Sequence, residues 1–325
     1  MNFLGIKVLG SGAYVPTSIL SNKQLESIVE TSDEWIKART GIKNRHIATT
    51  ENTVELAYQS AKQAIEHANI DPTEIGLIIV ATFTPEQLTP STACLVQAKL
   101  GLNDVKMIAF DLNAACSGFV YAMSVANQFL KSGAIKKALI IGAEVLSKIM
   151  DWDDRNTCVL FGDGAGAVVV EYDQDTTESF YLNSSGDERG VLTTTPIAVV
   201  NPLTDNQAEP IHFQMNGQEV FKFAIHAIKE TIMELLEQAN LTIDEINLII
   251  SHQANKRIID KVVKDLKVPS EKFFLNLDNY GNTSAASIPI ALKEAIDTRH
   301  IKSGDKIMLI GFGGGKTWGG CMISL

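Results

Sequence analysis

The sequence predicts an α/β fold made of two related halves, and three observations support this prediction. Residues 66–79 can be laid on residues 237–250 at a constant offset of 171, with eight of the fourteen positions identical. At nearly the same offset, residues 137–142 echo residues 306–311, and both segments are typical of strands ending in glycine. Short apolar runs alternate with segments of helical spacing, as in sheets that are covered on both faces. Two matches in one register favour duplication over chance similarity.

The repeat predicts how the chain is divided. We expect an N-terminal half at residues 1–172 and a C-terminal half at residues 173–325, with residues 173–210 forming connecting strands and loops. The connecting segment is polar, rich in Thr, Asn, Ser and Asp, and has little helical periodicity. Because strands alternate with helices, we expect a mostly parallel sheet in each half. Ligands of such sheets bind beyond the carboxyl ends of the strands.

Local patterns predict the elements of the first half in order. Ser21 with Gln24 resembles a capping box, and Thr31 begins a Thr-Ser-Asp-Glu segment whose hydroxyl and acidic residues favour a helix N-terminus. The predicted elements are an opening strand (4–9) closed by residues 10–12, helices beginning near Ser21 and Thr31, a helix over 56–68, and strands over 77–82 and 105–110.

The composition predicts a globular protein and excludes several classes. The 325 residues are 45% hydrophobic and 20% charged, which provides an ample core. No apolar run approaches the roughly 20 residues that cross a membrane, and the N-terminus lacks the regions of a signal peptide. We therefore expect a cytoplasmic protein without a membrane partner. The net charge of −10 disfavours nucleic-acid binding.

Cysteine spacing indicates neither a disulfide framework nor a metal site. Of the four cysteines, three are interpreted as structural: Cys94, Cys158 and Cys321. Cys116 differs, because it lies where a predicted strand passes into an apolar helix over 117–130. Unpaired N–H groups and the helix dipole at such a junction favour a thiolate, which is the nucleophile of covalent catalysis. The alternative is a small buried core cysteine.

The second half carries two further polar candidates beyond its predicted strands. His252 ends the repeat strand, and Asn282 precedes a helix that is the counterpart of the helix after Cys116. A pseudo-two-fold fold would bring these three side chains to one place. Taken singly, each has a simpler interpretation, because His252 could be a hydrogen-bonded core histidine and Asn282 could cap the following helix.

Several motifs around these residues occur together along nearly the whole chain. They are Asn113-Ala-Ala-Cys-Ser-Gly118, His252-Gln-Ala-Asn255 with Arg257, Asn279-Tyr-Gly-Asn-Thr-Ser284, and the segments 31–36, 39–41, 161–166, 311–315 and 317–319. In this order they resemble the β-ketoacyl-acyl-carrier-protein synthase III family of condensing enzymes. The resemblance implies a thiolase-like fold with layered αβαβα architecture and two mixed sheets whose cores are mostly parallel.

The resemblance also implies a decarboxylating condensation that starts type II fatty-acid synthesis. Cys116 would take an acyl group from acyl-CoA, and malonyl-acyl carrier protein would then lose carbon dioxide and attack the acyl-cysteine. His252 and Asn282 would stabilise the enolate, while backbone N–H groups of Cys116 and Gly314 would hold the oxyanion of acyl transfer. No cofactor beyond the CoA thioester substrate and no metal is implied. By family analogy the enzyme would be a homodimer.

The resemblance also implies substrate contacts for individual residues of this chain. Trp35 and Arg155 resemble a pair that sandwiches adenine, Arg39 would meet the nucleotide phosphate, and the remaining predicted contacts are Thr31, Gly217, Asn255 and Phe312. Two alternatives stay open: Trp35 could anchor its helix, and Arg155 could pair with Asp151 or Asp154. Thr89 matches a position that lines the acyl pocket across the dimer interface, where threonine leaves room for acyl groups longer than acetyl.

An acidic carrier protein requires a basic surface, and the helix after His252 offers one. Its apolar stripe is opposed by Lys256, Arg257, Lys261, Lys264 and Lys267. A local excess of positive charge in an acidic chain favours an acidic partner. The predicted carrier contacts are Gln253, Ala254, Asn255, Lys256, Arg257 and Lys222. The alternative for the three later lysines is a solvated helix face.

Two residues depart from the family pattern: Lys316 replaces a usually apolar residue, and Gln218 replaces a shorter Asn. Three other functions are alternatives. A secondary-metabolite (polyketide-type) condensing or acyl-transfer enzyme would use the same residues. A cysteine thioesterase would need a base that activates water, for which Asn282 is unsuited. A non-catalytic binding homologue is disfavoured by the intact Cys116, His252 and Asn282.

Overall fold

The structure is a computed structural model that describes residues 5–173 and 179–325. The strands are β1 (Ile6–Tyr14), β2 (Ile19–Ser21), β3 (Asn44–His46), β4 (Ile75–Ala81), β5 (Ile108–Leu112), β6 (Lys137–Glu144), β7 (Gly164–Tyr172), β8 (Phe180–Ser184), β9 (Leu192–Thr194), β10 (Phe213–Met215), β11 (Leu248–Ser251), β12 (Ile307–Gly313) and β13 (Thr317–Ile323). The helices are α1 (Asn22–Leu25), α2 (Asp33–Thr40), α3 (Thr53–Ala68), α4 (Thr92–Lys99), α5 (Gly118–Lys131), α6 (Gly217–Ala239), α7 (Lys256–Leu266), α8 (Leu277–Tyr280) and α9 (Ser287–Asp297). Among these helices, none is long and apolar enough to cross a membrane.

Two mixed sheets form the frame of the molecule. The first has the order β1-β7-β6-β4-β5, and the second has the order β11-β12-β13-β8. Parallel pairing is confined to β6-β4-β5 and to β11-β12, while β7 and β13 pair antiparallel with both of their neighbours. The expectation of mostly parallel sheets is therefore only partly met. The reason is visible at β12 and β13, which a tight turn joins as a hairpin that must run antiparallel.

The two halves repeat one another strand by strand. Strands β4, β6, β7 and β1 of the first sheet correspond in order to β11, β12, β13 and β8 of the second. Even the place of β5 has a counterpart, because Phe273 forms a parallel bridge to Ile249 in β11. The predicted duplication is confirmed. The boundary near residue 172 stays a prediction; residues 174–178 of the connecting segment lie outside the described residues.

Helices and sheets stack in five layers, as expected for a thiolase-like fold. Helices α5 and α9 lie between the sheets and share one core with residues of both, including Ile140 and Leu309. On the outer faces, α3 and α4 cover the first sheet, while α6 and α7 cover the second. Because α5 is buried from both sides, its sequence is apolar almost all round. The turns that begin α5 and α9 therefore meet at the centre of the molecule.

The helix starts are confirmed, but the end of the first strand is not. Ser21 makes a full capping box with Gln24, and the side chain of Ser32 caps α2. The glycines at residues 10–12 were expected to end β1, yet the strand continues through them. A Cβ on Gly10 would lie 2.3 Å from the backbone nitrogen of Ala68, so glycine lets α3 lie directly on the strand.

Candidate active site

Cys116 lies in a one-turn 3-10 segment, Ala115–Ser117, between β5 and α5. The turn requires Ala115 to adopt a left-handed conformation with φ 47°. Cys116 is only 4% exposed, and the hydroxyl of Ser284 donates to its sulfur across 3.3 Å. The backbone N–H groups of Cys116 and Gly314 lower the pKa of the thiol. The residue thus has the surroundings of a buried core cysteine and the polar contacts of a reactive one.

Electrostatics at Cys116 differ from the prediction. Burial raises the pKa of the thiol to about 12, and the carboxyl of Glu144 raises it further. Hydrogen bonds from Ser284 and from the backbone lower this pKa, but burial outweighs them. Burial thus opposes the effect predicted for the helix N-terminus, and a thiolate at Cys116 stays a prediction.

His252 follows β11 and is held rigidly. Its backbone N–H donates to the carbonyl of Ile310 across 2.7 Å, and its Nδ1 lies 2.7 Å from the hydroxyl oxygen of Ser287. The ring of Phe312 stands edge-on to the imidazole at 5.0 Å. Burial lowers the pKa of His252 to about 3, so the imidazole is neutral near pH 7. A neutral, oriented imidazole acts as a hydrogen-bond donor rather than as a cation.

Asn282 is fixed by its backbone and by one end of its amide. Its N–H donates to Leu160 across 2.8 Å, and its carbonyl accepts from Gly162 across 3.0 Å. Its Oδ1 accepts from the N–H of Ser284 across 2.9 Å, which is the cap-like contact considered as an alternative. With Oδ1 occupied in this way, Nδ2 is the end of the amide that remains to act as a donor.

One cavity brings the three candidates together. It has a volume of about 110 Å³, and Cys116, His252 and Asn282 all contribute to its wall. Most of the remaining wall is apolar, including Phe161 and Phe312. A largely apolar cavity with a few convergent polar groups is typical of a ligand site. The simpler interpretations of the three residues are therefore incomplete, because each also faces a common space.

The glycine-rich turn after β12 permits close contact with the nucleophile. A Cβ on Gly313 would lie 2.7 Å from the Cβ of Cys116 and 2.8 Å from its nitrogen. Gly315 has φ 72°, a conformation that disfavours other residues. The predicted close approach is confirmed, and Gly313 is the residue whose side chain would block it. This approach brings the backbone of Gly314 near enough to lower the pKa of the Cys116 thiol.

A surface cleft leads from Trp35 and Arg39 to the cavity. The cleft and the cavity share four wall residues, Leu160, Met215, Gly217 and Asn255. The guanidinium of Arg155 lies 5.3 Å from the centre of the Trp35 ring. A base stacked between them needs about 7 Å, two layers of about 3.5 Å each. Arg155 must therefore move outward before the pair can sandwich an adenine.

The structure also bears on the alternative that Arg155 pairs with Asp151 or Asp154. Asp154 accepts hydrogen bonds from Asn156 and Thr157, and among the described residues Arg155 pairs with neither acid considered above. Its guanidinium instead donates to the carbonyl of Glu30. Thr31 lies outside both cavity walls, and its buried hydroxyl has no partner within the described chain.

Cys116 also lines a second opening, whose wall includes Phe83, Leu192 and Phe213. Sequence reasoning missed these residues, because they come from separate loops that only the fold brings together. Thr89, predicted to line the acyl pocket, is exposed and does not reach this wall within one chain. Its assignment depends on a second subunit and stays a prediction.

The predicted carrier surface needs one correction. Gln253 is 1% exposed, and its amide is fully used: it donates to Ser251 and Phe274 and accepts from Asn276. It is a core residue that holds the loop, because the turn after β11 directs it inward. A carrier protein cannot reach this side chain.

Charges on α7 are partly neutralised. Lys256 pairs with Asp260 across 2.6 Å, and Lys261 pairs with Asp265 across 2.5 Å. The guanidinium of Arg257 lies 5.8 Å from the ring of Phe221. Of the basic residues predicted to face the carrier protein, those without an ion pair in the described part of the chain are Arg257, Lys222, Lys264 and Lys267. Asn255 caps α7 through Oδ1 and donates through Nδ2 to the carbonyl of Arg39, while Ala254 lines the cavity.

The two residues that depart from the family pattern, Lys316 and Gln218, lie in different parts of the structure. Lys316 has a left-handed φ of 49°, lines the cavity and lies 3.8 Å from the carboxylate of Asp187. The lysine therefore brings an ion pair to the cavity wall. Gln218 is exposed near the start of α6 and lies outside the wall. Among the described residues, no group of three or more His, Cys, Asp or Glu side chains could hold a metal ion.

Three residues near the reactive groups were not singled out from the sequence: Glu144, Ser284 and Ser287. The two serines lie in the segment after Asn282. The composition of this segment is typical of a helix start, so it did not indicate that the serines contact the reactive groups. Glu144 offered a clearer signal, because an acid directly after a continuous apolar strand lies at the edge where sites form.

Comparisons with known proteins agree with the geometry. Family profiles described as 3-oxoacyl-[acyl-carrier-protein] synthase III and as its C-terminal part match residues 110–186 and 236–325. A beta-ketoacyl-[acyl-carrier-protein] synthase III of Clostridium perfringens (strain SM101 / Type A) is 49% identical, covering 98% of this chain and 99% of the relative. The crystal structure of 3-oxoacyl-[acyl-carrier-protein] synthase III from Aquifex aeolicus VF5 superimposes with a TM-score of 0.89 at 48% identity, over 98% of this chain and 99% of that one.

A more distant structure, the priming beta-ketosynthase from the R1128 polyketide biosynthetic pathway, has a TM-score of 0.91 at 32% identity, over 100% of this chain and 97% of that one. The fold is thus shared with a protein whose sequence is much less similar to this chain. Given the identity, the coverage and the matching profiles, the chain belongs to the β-ketoacyl-[acyl-carrier-protein] synthase III family.

Proposed function

We propose that this protein is an acyltransferase that initiates fatty-acid synthesis. It takes an acyl group from acyl-CoA onto Cys116 and condenses it with malonyl-acyl carrier protein, with loss of carbon dioxide, to give 3-ketoacyl-acyl carrier protein. One observation carries the proposal: Cys116, His252 and Asn282 line a single apolar cavity that a surface cleft continues. Relatives that are 49% identical over nearly the full length carry the corresponding name.

Acylation begins with the sulfur of Cys116. The thiolate attacks the thioester carbonyl, and the carbonyl oxygen becomes an oxyanion before CoA leaves as the thiol. The N–H groups of Cys116 and Gly314 would donate to this oxyanion, and their effect on the thiol pKa supports their closeness to the sulfur. Loss of one such donor typically costs about 2.7–4 kcal/mol of transition-state stabilisation.

Decarboxylation of the malonyl group requires stabilisation of an enolate. If the Ser287 hydroxyl donates to Nδ1, the proton of the neutral His252 ring is on Nε2 and can be donated to the enolate oxygen. The Nδ2 of Asn282 is the second donor, because Oδ1 is occupied by the backbone of Ser284. The carbanion then attacks the acyl-cysteine, forming the new C–C bond and releasing the sulfur.

The cleft is the proposed path of the CoA arm. Trp35 and Arg39 line the cleft and, with Arg155 beside the Trp35 ring, suit the nucleotide. Gly217 and Asn255 lie where the pantetheine would pass. Phe312 lies deeper, against His252. Thr31 stays in this proposal as a flanking residue of the nucleotide end. The group bound here is a substrate, and the proposed reaction uses no cofactor and no metal.

The proposed carrier site surrounds the mouth of the same cavity. It consists of Arg257, Lys222, Lys256, Asn255 and Ala254, with Gln253 now excluded. Arg257 is the strongest member, because it has no ion pair among the described residues and lies against Phe221 in the cavity wall. An acidic carrier protein would bring its thioester directly over the opening.

A homodimer is also proposed, with Thr89 of one subunit limiting the acyl pocket of the other. Threonine would leave space for branched or medium-length acyl groups. Turnover measured with acetyl-, isobutyryl- and octanoyl-CoA tests this part, and strict preference for acetyl-CoA would contradict it.

A thioesterase function is less consistent with the site. Hydrolysis needs a base that takes a proton from water, but the buried His252, with a pKa of about 3, is a weak base near neutrality. Asn282 cannot accept a proton.

Product analysis tests the proposed function. Purified protein is incubated with acetyl-CoA and malonyl-acyl carrier protein, and the carrier protein is analysed by mass spectrometry. We expect a 3-ketoacyl-carrier product and carbon dioxide in equal amounts. Free acid, or acyl groups found only on oxygen or nitrogen acceptors, would contradict the proposal.

A further inference from the structure

A charged pair lies in the otherwise largely apolar wall of the active-site cavity. Lys316 and Asp187 line the same cavity as the three candidate catalytic residues. The ammonium nitrogen of Lys316 lies 3.8 Å from Oδ1 of Asp187, whose side chain is only 6% exposed. Withdrawing a charged pair from water is costly, so its presence in this wall calls for an explanation.

The backbone fixes both partners of this pair. Gly315 and Lys316 have consecutive left-handed φ values, 72° and 49°, in the turn between β12 and β13. This conformation disfavours residues other than glycine, so the surrounding structure imposes it on the lysine. The carbonyl of Lys316 accepts from the N–H of Ser185 across 3.2 Å. The carboxylate of Asp187 accepts through Oδ2 from the N–H of Leu192 across 3.4 Å.

The two partners do not satisfy each other's hydrogen-bonding capacity. Their separation of 3.8 Å is longer than a hydrogen bond. Within the described chain, Oδ1 of Asp187 has no hydrogen-bond donor, and the ammonium of Lys316 has no hydrogen-bond acceptor. An ammonium carries three donors. Lys316 is therefore held at the cavity wall by its counter-ion while its donors remain available to a bound molecule.

The lysine belongs to one of the two openings that meet at the nucleophile. The second opening is lined by Gly314, Gly315 and Thr317, but not by Lys316. Lys316 lines the other cavity, which continues into the cleft proposed for the CoA arm. An acceptor that Lys316 contacts therefore belongs to the leaving-group side of the thioester, and not to the acyl chain in the second opening.

The charge of the pair favours a neutral acceptor. The malonyl carboxylate also enters the cavity, but Asp187 would repel it. A cation bound to that carboxylate would also stabilise the reactant more than the neutral carbon dioxide that it becomes, and this would slow decarboxylation. An amide carbonyl meets neither penalty. Amide carbonyls occur along the pantetheine arm, which CoA and the carrier protein have in common.

We propose that the ammonium of Lys316 donates a hydrogen bond to the amide carbonyl of the pantetheine arm that lies nearest the thioester, with Asp187 as the counter-ion that positions it. The inner amide is chosen because Lys316 is not among the wall residues that the cavity shares with the cleft. This inference rests on the proposed function and adds a specificity residue for both substrates. By contrast, Arg155 is proposed to contact only CoA, and Arg257 only the carrier protein.

The first test compares the wild type with Lys316→Met/Asp187→Asn. Changing both residues removes the donor without leaving a buried carboxylate unpaired. The values of kcat/KM for acetyl-CoA and for malonyl-carrier protein should fall by the same factor, about 10–100-fold, because each substrate loses a hydrogen bond from a charged group. A loss confined to acetyl-CoA would overturn the proposal. A loss confined to malonyl-carrier protein would also overturn it, and would assign the lysine to the malonyl carboxylate.

Two short thioesters test the position of the contact. Acetyl-N-acetylcysteamine has the inner amide but neither the nucleotide nor the outer arm, and S-pentyl thioacetate has a chain of the same length without the amide. Acylation of Cys116 by each is followed by intact mass. With the first thioester the double variant should be about 10–100-fold slower than the wild type, and with the second it should equal the wild type. Slowing by the same factor with both would indicate a disturbed turn and overturn the proposal.

The wild type alone provides a measurement that does not depend on the folding of a variant. It should be acylated faster by acetyl-N-acetylcysteamine than by S-pentyl thioacetate, and equal rates would overturn the proposal. The matched control is Lys137→Met/Glu74→Gln. Lys137 pairs with Glu74 across 2.8 Å, and neither residue lines the cavity. This variant should keep the wild-type kcat/KM for both substrates, and thermal unfolding should show that both double variants are folded.

The outcomes separate this inference from the proposed function. A wild type that is acylated by acetyl-CoA, with Lys316→Met/Asp187→Asn keeping the wild-type kcat/KM for both substrates, would overturn the contact alone. A wild type that acetyl-CoA never acylates would overturn the proposed function and the contact with it.

Discussion

The hydroxyl oxygen of Ser284 lies 3.3 Å from the sulfur of Cys116, although 168 residues separate them in the chain. Ala115 and Ser284 occupy equivalent turns before α5 and α9, and both have left-handed φ values, 47° and 50°. The contact thus follows from the duplication, because the two repeat-related turns lie against each other near the pseudo-two-fold axis. One copy provides the nucleophile, and the other provides its hydrogen-bond partner.

Gly313 should be intolerant of any side chain. In Gly313→Ala the new methyl would lie 2.7 Å from the Cβ of Cys116, so the turn or the cysteine must move. Displacement of one oxyanion donor should lower kcat/KM by about 10²–10³-fold. Gly304→Ala is the control, because it has φ 89° but no atom within 4 Å of the new methyl. It should cost some stability and leave turnover unchanged; equal activity of both variants would contradict the proposed contact.

His252 and Asn282 should matter for condensation more than for acylation. In His252→Ala and Asn282→Ala the sulfur keeps its Ser284 and backbone contacts, so acetyl-CoA should still label Cys116 within about tenfold of the wild-type rate. Decarboxylation of malonyl-carrier protein should fall by about 10²-fold or more in each variant. Carbon dioxide release and intact mass measure the two steps separately. Loss of acylation with normal decarboxylation would contradict the assigned roles.

Acid should destabilise the fold through His252. The pKa is about 3 in the folded protein and near 6.5 in the unfolded chain, so the unfolded state binds more protons between these values. The contribution of this residue is fully present above pH 6.5 and is lost as the pH falls toward 3, with a slope of up to about 1.4 kcal/mol per pH unit.

Denaturant titrations of the wild type and His252→Asn at several pH values measure this effect. The difference between their unfolding free energies should shrink or reverse as the pH falls. Glu144 is present in both proteins and acts in the opposite direction over its own range, so comparing the two proteins removes its contribution. A difference that is constant with pH would contradict a neutral buried imidazole.

Arg257 should affect the carrier protein and not CoA. In Arg257→Glu the KM for malonyl-carrier protein should rise at least about tenfold at low salt, because a rim charge steers an acidic partner. Acylation by acetyl-CoA should remain near the wild-type rate. Lys261→Glu is the control, since Lys261 already pairs with Asp265 and lies farther along α7. Equal effects of both changes would favour a general charge effect over a specific contact.

Much of the fold could be predicted because its signals are local. The repeat, the capping box at Ser21 and the apolar strands all depend on neighbouring residues, and the structure contains them. Strand direction was harder, because it depends on whether a hairpin or a helix joins two strands. The glycines in β1 were misinterpreted for a similar reason: they permit contact with α3, which a one-dimensional pattern does not reveal.

The candidate site also contains some residues that could be predicted from the sequence and others that could not. Cys116, His252 and Asn282 follow strands or precede helices, so their common edge could be inferred from the repeat. Gln253 could not be judged, because the turn after β11 determines that it points inward. Ser284 reaches the sulfur of Cys116 from the other half of the chain. Contacts of this kind depend on how closely the two halves approach one another.

The most direct measurement is site-mapped acylation of the intact protein. Wild type and Cys116→Ser are incubated with acetyl-CoA, and the position of the acyl group is determined by intact and peptide mass spectrometry. We predict one acetyl group on Cys116 of the wild type and none on the serine variant. Labelling elsewhere, labelling of the variant at the wild-type rate, or no labelling of the wild type would contradict the account.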